Sequence, residues 1–93
     1  MGESDAERAS EILRHLGCCL PYATLEYEHM VGIHKFVIRH TSRIYSLIVP
    51  DWLLQTTALE ELKRTIAPVI DRVLLGVAPH RIWIGIWAAY PAV

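Results

Sequence analysis

The stretch Ala23-Thr24-Leu25-Glu26-Tyr27-Glu28-His29-Met30-Val31-Gly32-Ile33-His34-Lys35-Phe36-Val37-Ile38 decides how this chain folds. Ala23, Leu25, Tyr27 and His29 alternate with Thr24, Glu26, Glu28 and Met30, the period of a strand with one buried and one wet face. Val31-Gly32 then offers a two-residue turn, with glycine where a positive φ is needed. With that turn Met30 pairs Ile33, His29 pairs His34, Glu28 pairs Lys35, Tyr27 pairs Phe36, Glu26 pairs Val37 and Leu25 pairs Ile38. Leu25, Tyr27, Phe36 and Ile38 then share one face, while Glu28 and Lys35 form an ion pair on the other. A slip by one residue would set apolar positions against charged ones along the second strand.

Beyond this hairpin, Ile44 to Val49 reads as a third strand, apolar on both faces and ended by Pro50, which has no amide to give a ladder. The loop His40-Thr41-Ser42-Arg43 leaves two pairings open. If Arg39 pairs Ile44, then Tyr45, Leu47 and Val49 join the core face, with Ile44, Ser46 and Ile48 opposite; the other pairing exchanges those sets. Asp51 reads as the cap of a short turn through Trp52 and Leu54.

Thr57-Ala58-Leu59-Glu60 has the form of a capping box that opens a long helix. Its apolar stripe is Leu59, Leu62, Ile66, Val69, Ile70, Val73 and Val77. Pro68 should kink or split that helix near Ala67, and Gly76 and Pro79 should end it. Arg81 to Trp87 is rich in β-branched and aromatic residues and reads as a last strand, with Ile82, Ile84 and Ile86 on one face and Trp83, Gly85 and Trp87 on the other. A right-handed crossover through the long helix sets this strand parallel to the third.

Upstream, Ser4-Asp5-Ala6-Glu7 is a further capping box. Ala9, Ile12, Leu13 and Leu16 follow at helical spacing, and Gly17 can supply a left-handed end, which predicts a helix over about residues 5–16. The whole reads as one α+β domain over residues 1–93. It is two-layered, in the order α-β-β-β-α-β, with a mainly antiparallel four-stranded sheet and two helices on one face.

Composition bounds the functions available. A 53% hydrophobic fraction with 20% charged residues is the balance of a chain that folds. A formal charge of −1 supplies no long-range pull toward nucleic acid or an anionic membrane. The start of the chain lacks a cationic segment followed by an apolar one, and no apolar run is long enough to cross a bilayer. A cytoplasmic protein is the expectation. Adjacent Cys18 and Cys19 are poorly placed to bridge each other and read as reduced, buried residues.

In a two-layer domain one sheet face stays uncovered. Here that face should carry Trp83, Trp87, Val37, Ile44 and Ile48 beside Glu26, Glu28, Lys35, Arg39 and Arg81. Such a surface is too apolar to leave in water, and tryptophan flanked by arginine is typical of interfaces. We expect Trp83, Trp87, Arg81, Lys35, Val37, Arg39 and Ile48 to dock a protein partner, most simply a second copy in a two-fold dimer. The alternative is a single-stranded nucleic-acid module, with the tryptophans stacking bases and Lys35, Arg39 and Arg81 meeting phosphates. The element order resembles that of a type II KH domain, which would imply nucleic-acid binding. The GxxG loop that clamps the backbone is missing, an extra strand is present, and Glu26 and Glu28 share the face.

No phosphate loop, nucleophile elbow or dinucleotide fingerprint occurs, so no enzyme activity and no cofactor are expected. His29 opposite His34 could be half of a metal site or a pH-sensitive pair. With no HExxH and no paired CxxC spacing to add ligands, the expectation is two partly exposed strand-end histidines and no metal. His15 beside Cys18 and Cys19 suggests no activated thiol, since a helix C-terminus disfavours the thiolate.

Overall fold

A computed structural model describes residues 4–85 and 89–91. The elements are α1 (Asp5–Cys19), β1 (Thr24–Met30), β2 (Ile33–His40), β3 (Arg43–Pro50), α2 (Asp51–Thr56), α3 (Leu59–Leu75), β4 (Arg81–Ile84) and β5 (Ala89–Pro91). The fold is α+β, a mixed and mostly antiparallel sheet with its helices packed on one side.

The hairpin forms in the register that alternation dictates, from Thr24 opposite Arg39 to Met30 opposite Ile33. Gly32 takes the positive φ the turn requires, at 80°. At the next turn Arg39 pairs Ile44, so Tyr45, Leu47 and Val49 lie on the core face. This resolves the choice left open by the loop. Thr41 carries that turn at φ 57°, a left-handed conformation rarely taken by a β-branched residue.

The crossover through α3 sets β4 parallel to β3, with Leu47 opposite Ile82 and Ile48 opposite Trp83. The strand expected over residues 81–87 ends at Ile84. Ile86 and Trp87 lie outside the described residues. A further short strand, β5, returns antiparallel to β4 and makes the sheet five-stranded in the order β1-β2-β3-β4-β5. Its three residues were too few to signal a strand by periodicity.

Ser4 caps α1, its hydroxyl accepting from the Glu7 amide at 3.2 Å. The helix does not stop at Gly17 but runs on to Cys19, because Leu16, Cys19 and Leu20 continue the buried stripe. Gly17 lies instead against β1, where a Cβ would meet Leu25 Cδ1 at 3.6 Å. Cys18, expected inside, is exposed; Cys19 is half-buried against the core.

The second capping box does not form. The N-cap of α3 is Ala58, with no side-chain bond, so Thr57 stands one residue too early. The helix continues through Pro68 without splitting and ends at Gly76, whose left-handed φ of 73° lets the Gly76 and Val77 amides reach the carbonyls of Val73 and Arg72. Of its stripe, Leu62, Ile66, Val69, Ile70 and Val73 are buried, while Val77 lies past the end and is exposed.

One core joins Ala9, Ile12 and Leu16 of α1, Leu53 and Leu54 of α2 and the α3 stripe to Phe36, Ile38, Tyr45, Leu47, Val49, Ile82 and Ile84 of the sheet. All three helices therefore cover the same sheet face. No helix among the described residues is long and apolar enough to cross a membrane.

Candidate functional site

Two regions gather chemistry, one on each face of the sheet. Directly paired residues of neighbouring strands point to the same side, so the ladders assign the helix-free face row by row. One row runs Glu26, Val37, Ser46, Arg81 and the next Glu28, Lys35, Ile48, Trp83. Arg39 and Ile44 fall in the row beside the first. Six of the seven residues expected to meet a partner thus share one surface. The seventh, Trp87, lies outside the described residues.

Within that surface, Ile48 is only 6% exposed although it is outside the helix-covered core. Its ladder neighbours on either side are Lys35 and Trp83, both half-buried. Arg81, Arg39, Glu26 and Ile44 are exposed. The ion pair that forms here joins Arg39 to Glu26, 3.8 Å apart, and not the expected Lys35 to Glu28. Acidic side chains thus occupy the β1 margin, while Arg81 and the indole of Trp83 lie on β4.

The other region lies where the hairpin tip meets the starts of two helices. The His29 and His34 rings stack with centroids 4.2 Å apart and planes 6° from parallel. His34 is not a partly exposed strand-end residue as expected: it is the one buried polar residue of the described chain, at 0% exposure. Its Nδ1 is hydrogen-bonded with the Tyr27 hydroxyl at 2.6 Å, and the Tyr27 ring lies nearly parallel to it with centroids 5.9 Å apart. Its Nε2 stands 2.9 Å from Asp51 Oδ1 and 3.9 Å from Asp5 Oδ2.

The short Asp51 approach is off the direction a ring N–H would take. The His34 Nε2 consequently has no hydrogen-bond partner among the described residues. Burial, and secondarily the neighbouring His29, hold the His34 pKa below its usual value, against the opposing pull of Asp51 and Asp5. A neutral His34 makes no ion pair with Asp51, so distance alone misdescribes that contact. Burial together with Asp5 and Asp51 also raises the Tyr27 pKa, which keeps its phenol protonated.

Local structure brings the carboxylates here. Asp51 is not a cap: Pro50 holds the N-cap position, and Asp51 is the first residue of α2. The Asp51 amide donates to the Gly32 carbonyl at 3.0 Å, which ties α2 to the hairpin turn. Asp51 Oδ1 also lies 3.2 Å from His29 Nε2. Asp5 stands in the first turn of α1, where its Oδ2 accepts from Gln55 Nε2 at 2.9 Å. Arg8 Nε donates to the Leu54 carbonyl at 2.6 Å and holds α1 against the end of α2.

Sequence reasoning paired His29 with His34 but missed Asp51, Asp5 and Tyr27 as their companions. The signal for Asp51 was present in the third-strand register. Val49 opposes His34, so the residue two positions on emerges beside that histidine. No family model, curated protein or solved structure matches this chain.

Proposed function

We propose that this protein acts by binding, and that its helix-free sheet face docks a second copy of the same chain. The observation that carries the reading is the division of charge across that face. Glu26 and Glu28 lie on β1 at one margin and Arg81 lies on β4 with Trp83; between them Val37 and Ile48 are apolar beside Lys35, Arg39 and Ser46.

A two-fold axis lying along the strands between β2 and β3 stacks β1 of one copy over β4 of the other. Each Glu26 then meets the partner's Arg81, twice by symmetry, and the row that holds Ile48 and Trp83 packs on the partner's copy of the same row at the usual sheet-to-sheet spacing of roughly 10 Å. The same acids oppose a nucleic-acid backbone, so the protein partner is the better fit. With two free thiols and one of them exposed, a reducing cytoplasmic setting suits the chain.

Light scattering tests this directly. The expected mass is that of two chains, with Arg81→Glu and the pair Glu26→Lys with Glu28→Lys each shifting it toward one chain. Combining the reversed charges should restore the dimer. A single-chain mass at high protein concentration would overturn the proposal.

A further inference from the structure

The sheet-face reading makes no use of the histidines and aspartates on the opposite side. Their arrangement has a feature that packing does not explain: a fully enclosed imidazole nitrogen with no hydrogen-bond partner, close to two carboxylates. A buried polar atom left unsatisfied destabilises the fold, so the position calls for something to meet it. We propose that His29 Nε2, His34 Nε2 and Asp51 Oδ1 form a binding site for one divalent transition-metal ion of the zinc class, with Asp5 placed to be a fourth ligand.

Three observations converge. The first is spacing. Zinc bonds of about 2.0–2.2 Å set neighbouring donors of one ion roughly 2.9–3.5 Å apart. Asp51 Oδ1 is 2.9 Å from one imidazole nitrogen and 3.2 Å from the other, and the three donor atoms lie within 4.8 Å of one another. The His29 approach is a hydrogen bond, whereas His34 Nε2 stands as close to the same oxygen without one.

The second is the tautomer. Metal-bound histidine characteristically donates its other ring N–H to a fixed acceptor, which leaves the ligating lone pair free. The Tyr27 hydroxyl is hydrogen-bonded with His34 Nδ1 at 2.6 Å, and in the tautomer that carries its proton on Nδ1 the Nε2 lone pair is left free to ligate.

The third is charge and donor type. Asp5 and Asp51 bring two carboxylates from the starts of two helices to the buried His34 imidazole. Two imidazoles with carboxylates select zinc, cobalt, nickel or copper over magnesium or calcium, which prefer oxygen throughout.

The His29 and His34 rings lie parallel, so both nitrogens cannot point at one ion without a rotation. His29, half-exposed on the edge strand β1, is the ring free to turn, whereas His34 is fixed by the core. Once bound, the ion clasps the hairpin to α2 and, through Asp5, to α1.

The test uses the whole purified protein with Zn²⁺ or Co²⁺ as the probe, followed by titration calorimetry, thermal unfolding and the visible absorption of Co²⁺. One ion per chain is expected, with a raised thermal midpoint and cobalt bands of low coordination number. His29→Ala and Asp51→Asn, both at the accessible rim, should each weaken binding by at least about tenfold without unfolding the chain. His15→Ala, on α1 away from the cluster, should bind as the parent does. The proposal is overturned by the lack of a zinc-dependent rise in midpoint, or by His29→Ala and Asp51→Asn binding the ion as tightly as the parent. Neither result bears on the mass of the assembly, so the sheet-face reading is tested separately.

Discussion

His34 Nε2 and Asp51 Oδ1 stand 2.9 Å apart inside the fold with no hydrogen bond joining them. Burial first, and then His29, lower the His34 pKa below its ordinary 6.5, while Asp51 and Asp5 act the other way. The sign for stability follows. In the unfolded chain this histidine takes up its proton at a higher pH than in the fold. Between those two values the unfolded state binds more protons, and stability falls as the pH falls, by at most about 1.4 kcal/mol per pH unit. Above the unfolded value the contribution is fully present. Metal-free protein unfolded in urea from pH 7.5 to 5 should therefore show declining midpoints, and His34→Gln should flatten that decline. Equal slopes in the two proteins would show that His34 is not the group responsible.

How much of this was legible in the chain depends on the range of the interaction. The hairpin register was readable because alternation on two adjacent strands and one glycine turn determine it locally, and β4 followed from the handedness of the crossover. The end of α1 was not, because Gly17 favours a stop only until Cys19 and Leu20 find the core. Thr57 to Glu60 resembles a cap, but the chain starts α3 one residue later. The pairing of His29 with His34 was legible; the arrival of Asp5 was not, since it requires α1 to dock on α2 through Arg8 and Gln55, some fifty residues away.

The Tyr45 hydroxyl is buried without a hydrogen-bond partner among the described residues, though its ring fills the core. Tyr45→Phe keeps the ring and removes the unsatisfied group. Stability should rise by about 1 kcal/mol, read as a higher denaturant midpoint with unchanged slope. A fall would mean that the hydroxyl finds a partner in solution.

Gly17 and Gly32 should respond oppositely to alanine. At Gly17 the added Cβ meets Leu25 Cδ1 at an ordinary 3.6 Å inside a helix, so Gly17→Ala should stabilise by about 0.5–1 kcal/mol. At Gly32 there is space, but φ is 80°, and Gly32→Ala should destabilise by about 1–2 kcal/mol. Thermal midpoints of the two variants decide between space and backbone conformation as the controlling factor.

The two serine/threonine box sequences make a matched pair. Ser4 bonds the Glu7 amide, so Ser4→Ala should cost about 1 kcal/mol. Thr57 is not the N-cap of α3 and closes α2 only through its backbone amide, so Thr57→Ala should fall within about 0.5 kcal/mol of the parent. Comparable losses in urea unfolding would mean that α3 starts at Thr57 in solution.

Trp83 is the residue at which folding and assembly should separate. It lies on the face away from all three helices, is half-buried, and takes no part in the core that joins helices to sheet. Leu47, one strand over on the opposite face, is completely enclosed in that core. Leu47→Ala should therefore cost about 2–5 kcal/mol and lower the unfolding midpoint sharply. Trp83→Ala should cost much less in the single chain, because it empties no space between helix and sheet. In the proposed dimer it removes an aromatic side chain beside Ile48 on the proposed docking surface, so dissociation should become at least about tenfold easier, an effect of about 1.4 kcal/mol or more. Sedimentation of the variant as a folded single chain is the expected result. A variant that unfolds like Leu47→Ala would place the indole in the structural core, and one that stays fully dimeric would move the interface to another surface.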